Sequence, residues 1–278
     1  MKPFPGGFSR IAVYATLLGL VFFSAFPLLW MILSSLKPFP ELMANQPHLL
    51  PSRLSFGFYS TLLTATTFVT FLTNSVIVAL GTTLVSVTFA SMAAYGLSRL
   101  RIRWKFLVSR SVLLSYMFPQ ILLVVPLFVG IVTLGLANTY SGLILTYVTF
   151  AFPFSTWLLT AYFQTIPVEL EEAARIDGAS NAGAFLRVIL PLALPGIATA
   201  AVFSFILAWN EFLYALVIMN SESKKTLSVG LYSFIGGEFM RWGELMAAST
   251  LMVLPVLVFI FLVQKHIVTG LAAGAVKG

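Results

Sequence analysis

The sequence predicts an all-α membrane protein with six transmembrane helices, and three observations carry that reading. Of its 278 residues 59% are hydrophobic and 9% charged, with a mean hydropathy of +0.98. A water-soluble domain carries charge at about a quarter of its positions, so this chain cannot cover a surface that faces water. The charges it has are gathered into short segments between long uncharged runs, as expected when a charge at the bilayer centre costs about 2.5–3.5 kcal/mol on insertion scales. Those runs are long enough for helices of about 20 residues, the length that crosses the hydrocarbon layer.

The first span is expected at 11–33, inside a run from Ile11 to Leu36 without Asp, Glu, Lys or Arg. The run exceeds the apolar core of a secretory signal and lacks an obvious small-residue cleavage site, so it reads as retained. The second is expected at 71–97, in the uncharged stretch Leu54 to Ser98, whose first third is rich in Ser, Thr and Tyr. A seventh span between Leu54 and Thr70 is the alternative, and it would put the termini on opposite sides. The third and fourth spans, 106–132 and 140–163, share the uncharged run from Ser111 to Val168, with Gly135-Leu136-Ala137-Asn138 as the turn. The fifth, 195–219, is interrupted by Glu211, and the sixth covers 245–263. Prolines 119, 126, 153, 191, 195 and 255 lie in or beside spans, where they mark ordinary kinks or transporter hinges alike.

Lys and Arg decide orientation. With the N-terminus inside, the cytoplasmic segments hold Lys2, Arg10, Arg99, Arg101, Arg103, Lys105, Arg110, Arg175, Arg187, Lys265 and Lys277, against Lys37, Arg53, Lys224, Lys225 and Arg241 outside. Both termini are therefore expected in the cytoplasm of a multi-pass protein.

Cysteine is absent, which excludes disulfides, thiolate nucleophiles and Cys-based metal sites. His48 and His266 are the two histidines, and neither lies near a carboxylate pair, so no metal site is expected. The net charge of +7 suits cytoplasmic loops and anionic headgroups of the lipid bilayer. No basic stripe with interleaved aromatics points to nucleic acid. The spans hold no His/Asp cluster or nucleophile–base pair for a membrane-embedded enzyme.

The most informative segment is the cytoplasmic loop 164–190. Pro167 suits a first helical position, Glu169 and Glu171 sit where the helix dipole favours negative charge, and Gly178 fits a left-handed residue just past the helix end. Glu171 and Arg175 are spaced to pair on one face, while Leu170, Ala173, Ala174 and Asp177 form a narrow second face of mostly small residues. Ser180 is placed to cap a second helix through Phe185, Leu186 and Val188, ended by Pro191. On these features alone the loop is a solvated linker helix or a face that lets another protein approach closely.

Glu172-Ala173-Ala174, three residues, Gly178, nine residues and Val188-Ile189-Leu190-Pro191 resembles the signature loop of permease subunits in binding-protein-dependent ABC importers. The family usually has Ile where Val188 stands. Asp177-Gly178-Ala179, Phe185, the pair Pro191 and Pro195, Trp209-Asn210-Glu211-Phe212 and the tail from Gln264 to Gly278 look like the sugar-importing branch, and the tail is similar to that of the smaller, six-span maltose-type permease. The resemblance covers nearly the whole chain. It implies the type I permease fold, in the cytoplasmic (inner) membrane, with Glu172, Ala173, Ala174, Asp177 and Gly178 on a coupling helix seated in a cytoplasmic ATPase. It also implies a second homologous permease subunit, two ATPase subunits and an extracytoplasmic solute-binding protein. The chain has no Gly-Lys-Ser/Thr phosphate loop, so it is expected to be no enzyme, with no cofactor of its own, and ATP and Mg to be bound by the ATPase partners.

Glu211 is the one acidic residue within an expected span, and such a carboxylate is either functional or a structural partner for a neighbouring group. With Trp209, Asn210 and Tyr214 it makes a candidate stretch of the translocation path, although aromatic residues near an interface also serve as belt anchors. Gly236 and Gly237, in the outward loop 220–244, are candidate contacts for the binding protein under the family reading, or part of a plain connector. The cytoplasmic tail 264–278 is either a frayed end or, as the family suggests, a strip reaching between ATPase subunits. The expected cargo is a sugar or oligosaccharide, with a sugar phosphate or another polar solute as the alternative. An ion-coupled secondary transporter would need inward-facing ionisable residues in several spans, and here Glu211 stands alone.

Overall fold

The computed structural model describes residues 7–44, 48–100, 103–232, 234–235 and 241–275. Among the described residues the chain is helical, without strands. Two compact units form: Met1–Phe68 with Leu231–Val253, and Val69–Gly230 with Leu254–Gly278.

The first unit holds α1 (Gly7–Ser35), the single turn α2 (Phe39–Leu42), α3 (Gly57–Thr64) and the beginning of the last helix. The segment after α1 is tied down by polar contacts. Lys37, 3% exposed, lies over the Trp30 ring and donates to the His48 carbonyl. The Glu41 carboxylate accepts from the Ser52 amide and hydroxyl, the latter at 2.8 Å, and these bonds hold its pKa below the ordinary value. The seventh-span alternative fails here: α3 has 8 residues, far short of the ~20 a crossing needs.

The second unit contains α4 (Phe68–Arg99) beyond its first residue, α5 (Lys105–Met117), α6 (Val124–Thr133), α7 (Tyr140–Thr165), α8 (Val168–Ile176), α9 (Asn181–Ala184), α10 (Leu190–Leu192), α11 (Leu194–Asn210), α12 (Leu213–Ile218) and most of α13 (Leu227–Tyr232). The last helix, α14 (Trp242–Ala275), runs from the first unit into the second. Small buried residues let these helices approach: Ala90 and Ala94 on α4 and Ala200 on α11 pack in one cluster with Leu159 and Phe163 of α7. Without a hydrophobic drive between helices in lipid, such close packing is what holds them. At Gly196 an added Cβ would fall 2.6 Å from the Tyr162 ring, and Ser155 and Ser204 share a 3.1 Å hydrogen bond between α7 and α11.

Among the described residues four helices are long and apolar enough to cross a membrane, Ile11–Ser35, Phe68–Arg99, Tyr140–Thr165 and Trp242–Lys265, and up to six crossings result if each of two bent pairs counts as one. The bends correct the sequence reading. The helix expected through 106–132 breaks between Met117 and Gln120 with a 94° change of direction. Pro119 disfavours helical backbone at the preceding residue, and Phe118 is extended, with φ −70° and ψ 133°. The expected span 195–219 is also broken: α11 stops at Asn210, Glu211 is extended with ψ 130°, and α12 follows. Upstream, residues Asn181–Leu192 meet Leu194–Asn210 at 76°. The tail expected at 264–278 continues α14 through Ala275. The turn between the third and fourth spans has positive φ at Gly135 (70°) and Asn138 (56°). There the Asn138 side chain accepts from the Asn220 and Ser221 amides.

Candidate functional site

Helix α8 is short and both ends are built into the sequence. Pro167 precedes it with extended backbone, Glu169 and Glu171 occupy the first turn, and Arg175 the last. Gly178 closes it at φ +87°, its amide donating to the Arg175 carbonyl and the Ala179 amide to the Ala174 carbonyl. This is a Schellman turn, which satisfies two carbonyls that the helix end would otherwise leave open. A Cβ at Gly178 would meet nothing within 4 Å, so it is the backbone conformation that calls for glycine.

Two faces follow. Glu172, Ala173, Asp177 and Gly178 are exposed and Ala174 is half-buried. Beside them stand Val168 (47% exposed), Leu170 (44%) and Ile176 (87%), an aliphatic fringe that the described residues leave open. The five residues expected to meet an ATPase thus lie on one short helix and its closing turn, mostly facing outward. Glu171 lies on the opposite face and is 1% exposed; it makes the expected pair with Arg175 and has further partners on α4. Its Oε1 accepts from the Tyr95 hydroxyl at 2.7 Å and from Arg175, and its Oε2 faces Arg99 Nε at 3.5 Å. The Glu171 hydrogen bond, then that of Tyr95, raises the Arg175 guanidinium above its ordinary pKa.

Arg99 does more than balance charge. Its Nη2 donates to the Phe163 carbonyl at 2.8 Å and to the Ile166 carbonyl, closing the last turn of α7. The Tyr95 ring packs on Phe185, centroids 4.8 Å apart, at the start of a π-helical stretch Phe185–Ile189. Ser180 caps α9 by accepting from the Gly183 amide at 3.2 Å. Helical structure continues past Phe185 into α10, so Pro191 does not end it; the direction changes at Ala193, between Pro191 and Pro195. Tyr95 escaped sequence reasoning altogether, and Arg99 entered it only as a topology charge. The one available signal was the helical spacing, which puts Glu171 and Glu172 on different sides of α8.

The second candidate stretch divides. Trp209 is 2% exposed and stacked on Phe205, and Tyr214 is 1% exposed and donates to the Gln120 carbonyl at 2.8 Å. In this conformation neither ring offers a face to a solute, whereas Asn210 is exposed. The Glu211 carboxylate accepts from the amides of Tyr214 (3.0 Å) and Ala215 (3.2 Å), capping the first turn of α12. The Tyr147 hydroxyl is buried with no hydrogen-bond partner among the described residues. Gly236 and Gly237 lie outside the described residues.

Residues 86–272 match the family described as binding-protein-dependent transport system inner membrane component. Over 275 residues the chain is 39% identical to the trehalose transport system permease protein SugB of Mycobacterium tuberculosis, covering 98% of this chain and 100% of SugB. It is 40% identical over 257 residues to the trehalose/maltose transport system permease protein MalG of Thermococcus litoralis, covering 91% of each. A chain in the crystal structure of a bacterial ABC transporter involved in the import of the acidic polysaccharide alginate superposes with a TM-score of 0.82 at 26% identity, over 95% of this chain and 99% of the other.

Proposed function

The chain belongs to the family of binding-protein-dependent transport system inner membrane components, and from that premise we propose that it is a permease subunit of an ATP-driven ABC importer for a sugar or oligosaccharide. It is a multi-pass inner-membrane protein and a permease rather than an enzyme. The sugar class is supported by the trehalose and maltose relatives and the alginate importer. The observation that carries the coupling role is the split of α8 into an outward face bearing Glu172, Ala173 and Asp177 and an inward face anchored by Glu171.

In this reading a second permease subunit completes the path, and two cytoplasmic ATPase subunits bind ATP and Mg. The ATPase receives α8 in a cleft, with Glu172 paired to a basic residue there and small side chains at 173 and 174 permitting close approach. An extracytoplasmic binding protein delivers the sugar, with the loop around Gly236 and Gly237 as its contact. Both termini lie inside. Asn210 and Glu211 border the path, and Trp209 and Tyr214 brace it from behind.

The test is uptake of labelled disaccharides into vesicles reconstituted with the chain, its companion permease, the ATPase and the binding protein. Uptake is expected to require both ATP and the binding protein. Uptake driven by an ion gradient without ATP would overturn the reading in favour of a secondary transporter.

A further inference from the structure

Glu171 is a buried carboxylate on the face of α8 turned away from the proposed ATPase contact, and the reading of that contact leaves it without a duty. A buried charge is tolerated where partners surround it, and beside Arg175 on α8 itself two of its partners here, Tyr95 and Arg99, come from a different helix. Tyr95 and Arg99 both stand in the last two turns of α4, and Arg99 in turn holds the Phe163 and Ile166 carbonyls at the end of α7. A displacement of α8 therefore acts on α4 directly and on α7 through one guanidinium.

The joint is also not fully closed. Arg99 Nε and Glu171 Oε2 are both buried with no hydrogen-bond partner, and they face each other at 3.5 Å. A charge-assisted N–H···O bond settles at about 2.7–2.9 Å, so a shift of well under 1 Å would satisfy both atoms together. Packed interfaces turn sub-ångström shifts into discrete rearrangements because they do not deform continuously.

We infer that Glu171, with Tyr95 and Arg99, is the positioning joint that carries motion of α8 into the cytoplasmic ends of α4 and α7, distinct from the residues that meet the ATPase. This rests on α8 being the ATPase contact. Glu171→Gln keeps the shape and an acceptor for Tyr95 while removing the charge that faces Arg99. Tyr95→Phe removes the hydroxyl and leaves the ring on Phe185.

The experiment reads three quantities on the full transporter: retention of the ATPase in pull-down from detergent, ATP turnover stimulated by the binding protein in vesicles, and a spin-label distance. Since the chain has no cysteine, Leu80→Cys on α4 and Glu169→Cys on α8, both exposed, supply a label pair with no competing thiol in this chain. Both variants are expected to retain the ATPase within about twofold of the parent, to lose stimulated turnover by roughly tenfold, in the range of ordinary coupling between sites, and to broaden the distance distribution. Parent-like stimulation with a narrow distribution overturns the inference. So does a parallel fall of insertion, retention and turnover, which would make Glu171 a fold stabiliser alone. A parent that fails to retain the ATPase overturns the docking reading itself, and that outcome is distinguishable because it precedes any substitution.

Discussion

Two adjacent carboxylates on α8 illustrate how much one residue of helix rotation decides, since about 100° separates them around the axis. Glu172 is exposed and Glu171 is 1% exposed, so a change at Glu172 should leave the fold intact. Glu172→Lys is expected to cut ATPase retention by about tenfold through charge reversal at contact distance, while thermal unfolding in detergent moves by no more than about 0.5 kcal/mol. Gly178→Val should do both kinds of harm, because φ +87° costs a β-branched residue at least about 1–2 kcal/mol and misaims the turn. Wild-type retention in both variants would remove the docking assignment. Glu211→Ala removes the acceptor of two α12 amides, worth about 0.5–2 kcal/mol as a lost cap, and is expected to reduce uptake more than membrane level. Uptake that tracks an immunoblot of the membrane one for one would confine Glu211 to capping. Gly178 was legible because glycine after a short helix has one common meaning. The burial of Glu171 was not, since its partners stand 76 and 72 positions earlier in sequence.

At the scale of elements, the segments expected from hydropathy coincide with helices among the described residues, but two of them are broken rather than continuous. Uncharged length reports that a segment suits lipid, yet it says nothing of a break, because neighbouring helices can satisfy the backbone groups that a proline frees. Pro119 and Pro153 look alike in sequence, and while α7 continues through Pro153, the chain turns by 94° at Pro119. The glycines are more informative. At Gly142 an added Cβ would sit 2.3 Å from the Leu136 carbonyl oxygen, a backbone atom that cannot rotate away, whereas at Gly130 it would meet nothing within 4 Å. Gly142→Ala is expected to lower stability by about 1–3 kcal/mol and Gly130→Ala to be neutral or to raise it by up to about 1 kcal/mol. Thermal unfolding of the two purified variants checks this, and the reverse order would contradict the turn geometry between α6 and α7.

For the whole molecule, the distribution of basic residues leads us to expect the loop before α5 and both termini in the cytoplasm. Compartment-specific reporters fused at Arg103 and at Ser223 are expected to give opposite signals, and equal signals would overturn the topology. The aliphatic fringe of α8 bears on a different matter, the fate of copies made in excess. Under the proposed coupling role, a chain without the ATPase would show the cytosol Ile176, 87% exposed, together with Val168 and Leu170, the kind of surface that chaperones and proteases triage. Pulse-chase labelling should therefore give a longer half-life when the ATPase is co-expressed, and Ile176→Ser should lengthen the half-life of the orphan chain without it. The same few side chains that await a partner would then set the stoichiometry of the complex, by marking unassembled subunits for removal.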